Sequence, residues 1–449
     1  MAETIAALAT PPGVAGLSVI RISGDRAIDI AQKCFLGSRR FNVPEAQRIY
    51  FGKFYNDDAL IDNVTVSIFL APNSYTGEDA VEIGCHGGVF VYSQILDTLI
   101  EKGCKLAEPG EFTKRAFLNG KMDLTQVEAV ADIIHTQSVP GVITAARQLN
   151  GKFTERLCQF RQKLLNIASL LELELDFIEE DIVFAKKDDI KEQINETLKF
   201  CNDLTTSFIE SEILRSGYFV GIAGYPNSGK STLFYSMLGR QRSITSHIPG
   251  TTRDYIEENL VIGGISVRLA DTAGLRETGD IIELEGIKMV LNILEQSNMI
   301  LIINDMSVSI SNSEKLVKSL KIEYPGKKIL LVQNKIDKVE EFDINDFEAV
   351  YISAKKSIGL DQLKNRIGSE AKKSSERVKD ILINQRHSLL LKQAAKELEN
   401  AIAAIENGFE NELIAIDIRR AIKTFGEITG ESWNEEILNN IFSKFCIGK

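Results

Sequence analysis

The chain has 449 residues, 44% of them apolar and 26% charged, a composition that excludes a disordered or collagen-like polymer and gives room for roughly three domains of about 150 residues. Its 52 Lys and Arg stand against 63 Asp and Glu, a net charge of −11, which excludes a general attraction for nucleic acid; contact with RNA then needs a local basic patch or a partner's surface. The six cysteines form no CxxC pair, which speaks against a zinc site or a disulfide framework and for reduced thiols.

The N-terminal MAETIAALATPPG has neither a basic segment followed by a long apolar core nor an Arg/Ser-rich transit pattern. No stretch approaches 18 apolar residues, so no membrane span is expected and a cytoplasmic location fits.

Residues 1–118 mix short apolar runs with glycine turns. Val14–Ile22 and Val64–Leu70 read as strands and Val89–Ile100 as a helix, an α+β module. From 119 to 212 the pattern is helical: Leu157, Phe160, Leu164, Ile167, Leu171, Leu175 and Ile178 recur every three or four residues. From 213 to 375 short apolar runs at Tyr218–Ala223, Ile265–Ala270, Met299–Asn304, Lys328–Gln333 and Ala349–Ile352 alternate with helical or turn segments. That is the βαβ rhythm of a mainly parallel sheet. A helical stripe returns over 376–449 at Leu391, Ala394, Leu398, Ile402 and Ile405. The expected architecture is α/β and α+β multidomain, with the α/β module inserted into a helical domain whose two parts pack together.

Gly224-Tyr-Pro-Asn-Ser-Gly229-Lys230-Ser231 fits GxxxxGK[ST] between a predicted strand and a predicted helix, the context that makes the motif specific for phosphate. Backbone N–H groups from Asn227 to Thr232 would face the phosphates, Lys230 would reach the β- and γ-phosphates, and the Ser231 hydroxyl would ligate Mg²⁺. Asp271-Thr272-Ala273-Gly274 follows a strand, placing Asp271 toward Mg²⁺ and the Gly274 amide toward the γ-phosphate. Asn334-Lys335-Ile336-Asp337 ends another strand. Its Asp337 carboxylate matches the two donors of a guanine edge and would stay unpaired beside adenine. Ser353-Ala354-Lys355 fits the loop that completes the base pocket. These motifs in this order resemble the translation-factor-related class of small GTPases.

Thr251-Thr252-Arg253-Asp254, after Gly250, stands where a switch loop belongs, and Thr252 is the candidate for a second Mg²⁺ hydroxyl. Arg253 reads as the ion-pair partner of an acid such as Asp254 in preference to an arginine finger. Leu275 follows DTAG where a glutamine could have oriented water, so another group is required; Glu283 and Glu285 are candidates. Asn227 either caps the phosphate loop or, with carbonyls from the loop before GTTRD, holds a monovalent cation.

Further strings lie at the ends: TIAALATPPG at 4–13, Arg21-Ile-Ser-Gly24, Ser74-Tyr-Thr-Gly-Glu-Asp79, His86-Gly-Gly88, Pro109-Gly-Glu-Phe112 with Arg115-Ala-Phe117, and the terminal Cys446-Ile-Gly-Lys449. Over essentially its whole length the chain resembles the MnmE (TrmE) family of tRNA-modifying GTPases. The resemblance implies an N-terminal domain that binds a tetrahydrofolate such as 5,10-methylenetetrahydrofolate and forms a homodimer. It implies an FAD-bearing partner, MnmG (GidA), and addition of an aminomethyl or carboxymethylaminomethyl group to C5 of the wobble uridine of certain tRNAs. It implies K⁺-dependent hydrolysis, with Asn227, Ser246, Ile248 and Thr251 around K⁺ and Ser231 and Thr252 on Mg²⁺. His247, Pro249 and Gly250 then belong to the nucleotide loop, and Pro249 lacks an N–H but keeps its carbonyl. Glu283 matches the family's water-orienting glutamate, leaving Glu285 an ordinary solvated residue. Arg21, Glu82, Lys121 and Lys449 match the folate contacts. Cys446 comes near the folate in the family, but a packing role is preferred because nothing nearby in sequence would activate its thiolate. Two other readings compete: a GTP-controlled assembly switch or scaffold without modification activity, and a folate-dependent transferase with GTP as regulator.

Overall fold

The computed structural model describes residues 3–37, 48–176, 186–239, 256–271, 290–308, 311–339, 349–375, 380–443 and 445–448. They divide into two compact units. The first comprises Met1–Ala131, Gln148–Lys199 and Leu390–Lys449, and the second Asp132–Arg147 and Phe200–Leu389.

The first unit contains a seven-stranded sheet. Its strands are β1 (Ile5–Leu8), β2 (Ala15–Ser23), β3 (Phe35–Gly37), β4 (Ile49–Asn56), β5 (Ala59–Phe69), β6 (Ala80–Gly87) and β7 (Lys105–Leu106), in the order β3-β4-β5-β6-β2-β1-β7. Every pairing is antiparallel except β1 with β7. Alternation along a strand sends successive side chains to opposite faces. Ile20 and Ile22 of β2 therefore join Val66, Val81, Ile83, Ile95 and Leu99 in the main core. Across β1, Ile5 and Ala7 pack with Ala107, Phe112 and Tyr75 in a smaller cluster.

The same unit holds helices Lys152–Asp176 and Asn411–Thr429 and, from Leu390 on, helix Gln385–Glu406. Leu164, Ile167 and Leu171 are buried on helix Lys152–Asp176, as the apolar period requires. That helix packs along helix Asn411–Thr429, where Asn411 Nδ2 donates to Glu174 Oε2 at 2.6 Å. On helix Gln385–Glu406 the buried stripe runs through Leu391, Ala394 and Leu398 to Ala401 and Ala404, while Ile402 and Ile405 are only partly covered. The alanines are covered more completely than the isoleucines beside them.

The second unit contains a six-stranded sheet: β8 (Tyr218–Gly224), β9 (Ile256–Ile262), β10 (Ile265–Asp271), β11 (Met299–Asp305), β12 (Lys328–Asn334) and β13 (Val350–Tyr351), in the order β13-β12-β11-β8-β10-β9. All neighbours are parallel except β9 with β10. The strands are nearly continuous apolar runs because both faces are covered: Val220, Leu301 and Ile303 pack into one cluster, Ile300, Ile302 and Leu331 into another. Strand β9, which the sequence reading passes over, pairs through a two-glycine turn at Gly263 (φ 60°) and Gly264 (φ 83°). Two adjacent positive φ angles suit a tight hairpin. No helix among the described residues is long and apolar enough to cross a membrane.

Candidate active site

Four parallel strands run one residue further than their apolar runs suggest, to Gly224, Asp271, Asp305 and Asn334. The ladder holds these last residues side by side: Asp271 opposite Ile222, Ile303 opposite Gly224, and Asp305 opposite Asn334. Polar residues that local propensity would place in loops thus stand in a row at the carboxyl edge of the sheet, where open α/β sheets bind ligands.

Between β8 and helix Lys230–Leu238 lies the phosphate loop. Gly224 (φ 143°) and Gly229 (φ 94°) carry conformations that favour glycine. Side chains there would also collide: a Cβ on Gly224 would lie 2.4 Å from the Ile303 carbonyl oxygen, and one on Gly229 2.3 Å from Asn334 Nδ2. The helix begins at Lys230, so its first N–H groups open toward the loop, an arrangement suited to anions. Lys230 is only 8% exposed, and its Nζ donates to the carbonyls of Gly224 and Tyr225, each at 3.0 Å. A cleft of about 680 Å³ is lined by Asn227, Lys230, Ser231, Thr232 and Lys335 and walled on one side by Val290, Leu294, Leu316 and Leu320. Asp271 is buried at the end of β10, beside β8.

The expected base-reading residues meet this loop directly. Asn334 donates from Nδ2 to the Ser228 carbonyl at 2.9 Å, and its Oδ1 accepts from the Ala354 N–H at 3.0 Å. One buried amide therefore joins the phosphate loop to the Ser353–Ala354 segment. The Ser353 hydroxyl donates to Asp337 Oδ1 at 2.5 Å and accepts from the Lys356 N–H at 3.2 Å. The Ser353 hydroxyl is the main reason the Asp337 carboxyl is held below the usual carboxylate range. Asp337 is thus a half-buried, ionised acceptor at neutral pH, its direction set by one hydroxyl.

The first unit gathers a second group. Arg21 donates from Nε and Nη2 to Glu82 Oε1, at 2.9 and 2.7 Å. Its guanidinium lies 5.2 Å from the Tyr75 ring and 5.8 Å from the Phe112 ring. Next along β2 on the same face, Ser23 donates to Glu78, and Arg115 reaches the Glu78 and Glu111 carboxylates at 3.1 and 2.8 Å. Lys121 Nζ donates to the Pro72 carbonyl at 2.9 Å, and its methylenes lie close to Gly77, in the loop that carries Tyr75. The C-terminal tail comes here too. Gly448 (φ 94°) approaches so closely that a Cβ would lie 2.2 Å from the Leu8 carbonyl oxygen. Leu8 pairs with Ile20 and Ala7 with Arg21, so the tail rests on the hairpin that presents Arg21.

The structure therefore brings together Asn227, Ser228, Gly229, Lys230, Ser231, Thr232, Asn334, Lys335, Asp337, Ser353 and Ala354, with Asp271 on the adjacent strand end. It also brings together Arg21 and Glu82, with Lys121 bonded to the Pro72 carbonyl of the loop that carries Tyr75. Ser246, His247, Ile248, Pro249, Gly250, Thr251, Thr252, Thr272, Ala273, Gly274, Glu283 and Lys449 lie outside the described residues. Cys446 is exposed rather than packed inward; the neighbouring Phe445 takes the buried position with Phe442 and Leu438. Tyr75, Glu78 and Phe112 are the polar and aromatic partners to which the sequence assigns no individual role; their signal is membership in the SYTGED and PGEF strings, and that of Arg115 the Arg115-Ala-Phe117 string.

A phosphate loop at a strand–helix turn, a buried aspartate on the adjoining strand end and an asparagine amide that ties the loop to the Ser353–Ala354 segment are the parts of a P-loop GTPase. The family profile for the MnmE helical domain matches residues 124–446, and that for the GTP-binding protein TrmE N-terminus matches residues 4–121. The tRNA modification GTPase MnmE of Flavobacterium psychrophilum is 41% identical over 458 residues, covering 100% of this chain and 99% of its own length. That of Chlorobium phaeobacteroides is also 41% identical, covering 100% and 97%. Among solved structures, Era in complex with MgGDPNP and 16S ribosomal RNA nucleotides is 28% identical over 34% of this chain and 56% of its own, with a TM-score of 0.28. The chain belongs to the MnmE family of tRNA modification GTPases.

Proposed function

We propose that this chain is a K⁺-activated GTPase which, with the FAD-bearing partner MnmG, modifies C5 of the wobble uridine of certain tRNAs by adding an aminomethyl or carboxymethylaminomethyl group built from a tetrahydrofolate one-carbon unit. The observation that carries the reading is the double use of Asn334, which ties the phosphate loop to the base-reading segment within one buried contact network. Whole-length similarity to tRNA modification GTPases supports the remainder.

Roles follow from chemistry. Lys230 and the N–H groups of the loop bind the β- and γ-phosphates, and Asp337 accepts the guanine donors. Mg²⁺ suits the hard oxygen donors present: the Ser231 hydroxyl, with Thr252, would hold it, and the buried Asp271 would contribute through water. Its charge, when bound, neutralises the phosphates. Asn227 stands exposed at the loop tip with φ 61°, which fits an amide oxygen offered to a cation; Ser246, Ile248 and Thr251 would complete a K⁺ site. Glu283 orients the attacking water. In the first unit, the rings of Tyr75 and Phe112 around the Arg21–Glu82 pair suit a flat pterin carrying donors, and Lys121 and Lys449 suit its carboxylate tail. The domains of this reading are 1–118 for folate and dimerisation, 119–212 and 376–449 for the helical domain, and 213–375 for the inserted G domain, in a cytoplasmic homodimer.

Hydrolysis by the full chain should be much faster in K⁺ than in Na⁺, and Glu283→Ala should lower turnover by roughly two orders of magnitude or more with GTP affinity nearly unchanged. Equal rates in the two salts would remove the cation. Mass spectrometry of wobble nucleosides from a deletion strain separates an enzyme from a scaffold: intact modification would leave only the assembly switch.

A further inference from the structure

Lys335 occupies a left-handed conformation (φ 65°), and its ammonium makes two short contacts. One is to the Asn227 carbonyl in the phosphate loop, at 2.7 Å, and the other to Asp305 Oδ2 at the end of β11, at 2.6 Å. The other carboxylate oxygen of Asp305 accepts from the Ser307 N–H at 3.0 Å and the Ser307 hydroxyl at 2.6 Å. Its own chain therefore sets the direction of that carboxylate. Both partners are largely covered, with side chains 16% and 23% exposed. Burial pushes the Asp305 carboxyl up, but the contacts from Lys335 and Ser307 outweigh it and hold it below the usual range.

An exposed ion pair between flexible side chains contributes little. This pair differs, because one end is clamped by Ser307 and the other also carries a bond into the phosphate loop. We propose that Asp305 is a positioning residue of the nucleotide site, whose carboxylate anchors the Lys335 ammonium and thereby links the base-reading segment to Asn227. The backbone of Lys335 leads to Asp337 two residues on, and its ammonium grips the carbonyl of the residue expected to hold K⁺. Without the carboxylate, the ammonium keeps one carbonyl, the stem is no longer fixed, and Asn227 loses a restraint on its left-handed backbone. The inference deepens the function proposed above and rests on it.

The test uses the full-length chain with Asp305→Ala and with Asp305→Asn, which keeps the shape and an acceptor for Ser307. A fluorescent GDP analogue reports the dissociation rate, and steady-state hydrolysis reports the K⁺ concentration for half-maximal activity. Asp305→Ala should release GDP about tenfold faster, as loss of a charge-assisted contact implies, and Asp305→Asn should fall between it and wild type. The half-activating K⁺ concentration should rise several-fold, while turnover at saturating GTP and K⁺ stays within about twofold, because the residue touches neither water nor phosphate. A merely structural role would lower the thermal midpoint and leave the K⁺ dependence in place. Unchanged GDP release in either folded variant overturns the proposal, as does faster release with an unmoved K⁺ requirement. A wild-type protein that retains no GDP, or that ignores K⁺, would instead strike the functional reading and take this inference with it; that failure shows in the wild type, whereas failure of the inference alone shows only in the variants.

Discussion

Ser353 shows how one hydroxyl can govern Asp337, the carboxylate proposed to read guanine. Its bond to Asp337 is the first cause of that carboxylate's lowered titration. A depressed carboxylate keeps its charge, and with it the guanine contacts, as pH falls toward and below the ordinary Asp value near 4. Ser353→Ala removes that support, so the loss of GDP affinity on acidification should begin at a higher pH than in wild type, with only a roughly threefold weakening at pH 7. Titration of GDP binding between about pH 4 and 7 checks the direction; an unshifted acid limb would mean that the hydroxyl does not control Asp337. Asp337 itself was legible from NKID. Its regulator was legible only as part of a loop motif, and the bond between residues 16 apart in sequence is a product of the fold.

Among the elements, helix Lys152–Asp176 follows its sequence most closely, because an apolar stripe of period 3.6 has only one way to be buried. Leu164 is fully buried and Leu173, on the same helix, is 42% exposed. Leu164→Ala should therefore cost about 2–5 kcal/mol, and Leu173→Ala under about 1 kcal/mol. Urea unfolding at equilibrium measures both; equal losses would contradict the assigned buried face. Helix Gln385–Glu406 departs from expectation in an instructive way. Hydrophobicity favours Ile402 and Ile405, whereas the buried positions are Ala401 and Ala404. Hydrophobic strength and closeness of packing are different properties, and a stripe of alanines is faint in sequence. The strands behaved similarly. Their apolar runs mark them, but on β10, β11 and β12 the last residue, the one that matters to the site, is polar and falls one position past the run.

For the molecule as a whole, the two ends of the chain share one place. Gly448 lies against Leu8, and only a glycine fits its φ of 94° and the approach to that carbonyl. Gly448→Ala should push the tail off β1. If the tail completes the folate site, 5-formyltetrahydrofolate binding should weaken by about tenfold or more, while GDP affinity, governed by the other unit, stays the same. Isothermal titration with each ligand checks both halves, and unaltered folate binding would detach the tail from that site. Local spacing was enough to mark the phosphate loop, the aspartate proposed to read guanine and the long helix, since each depends on residues within a turn or two of one another. The Asp305–Lys335–Asn227 link, the aromatic setting of Arg21 and the seat of Gly448 join residues that are remote along the chain. No local pattern encodes such pairings, because they arise only when strand register and tertiary packing bring separate segments within hydrogen-bonding and van der Waals distance.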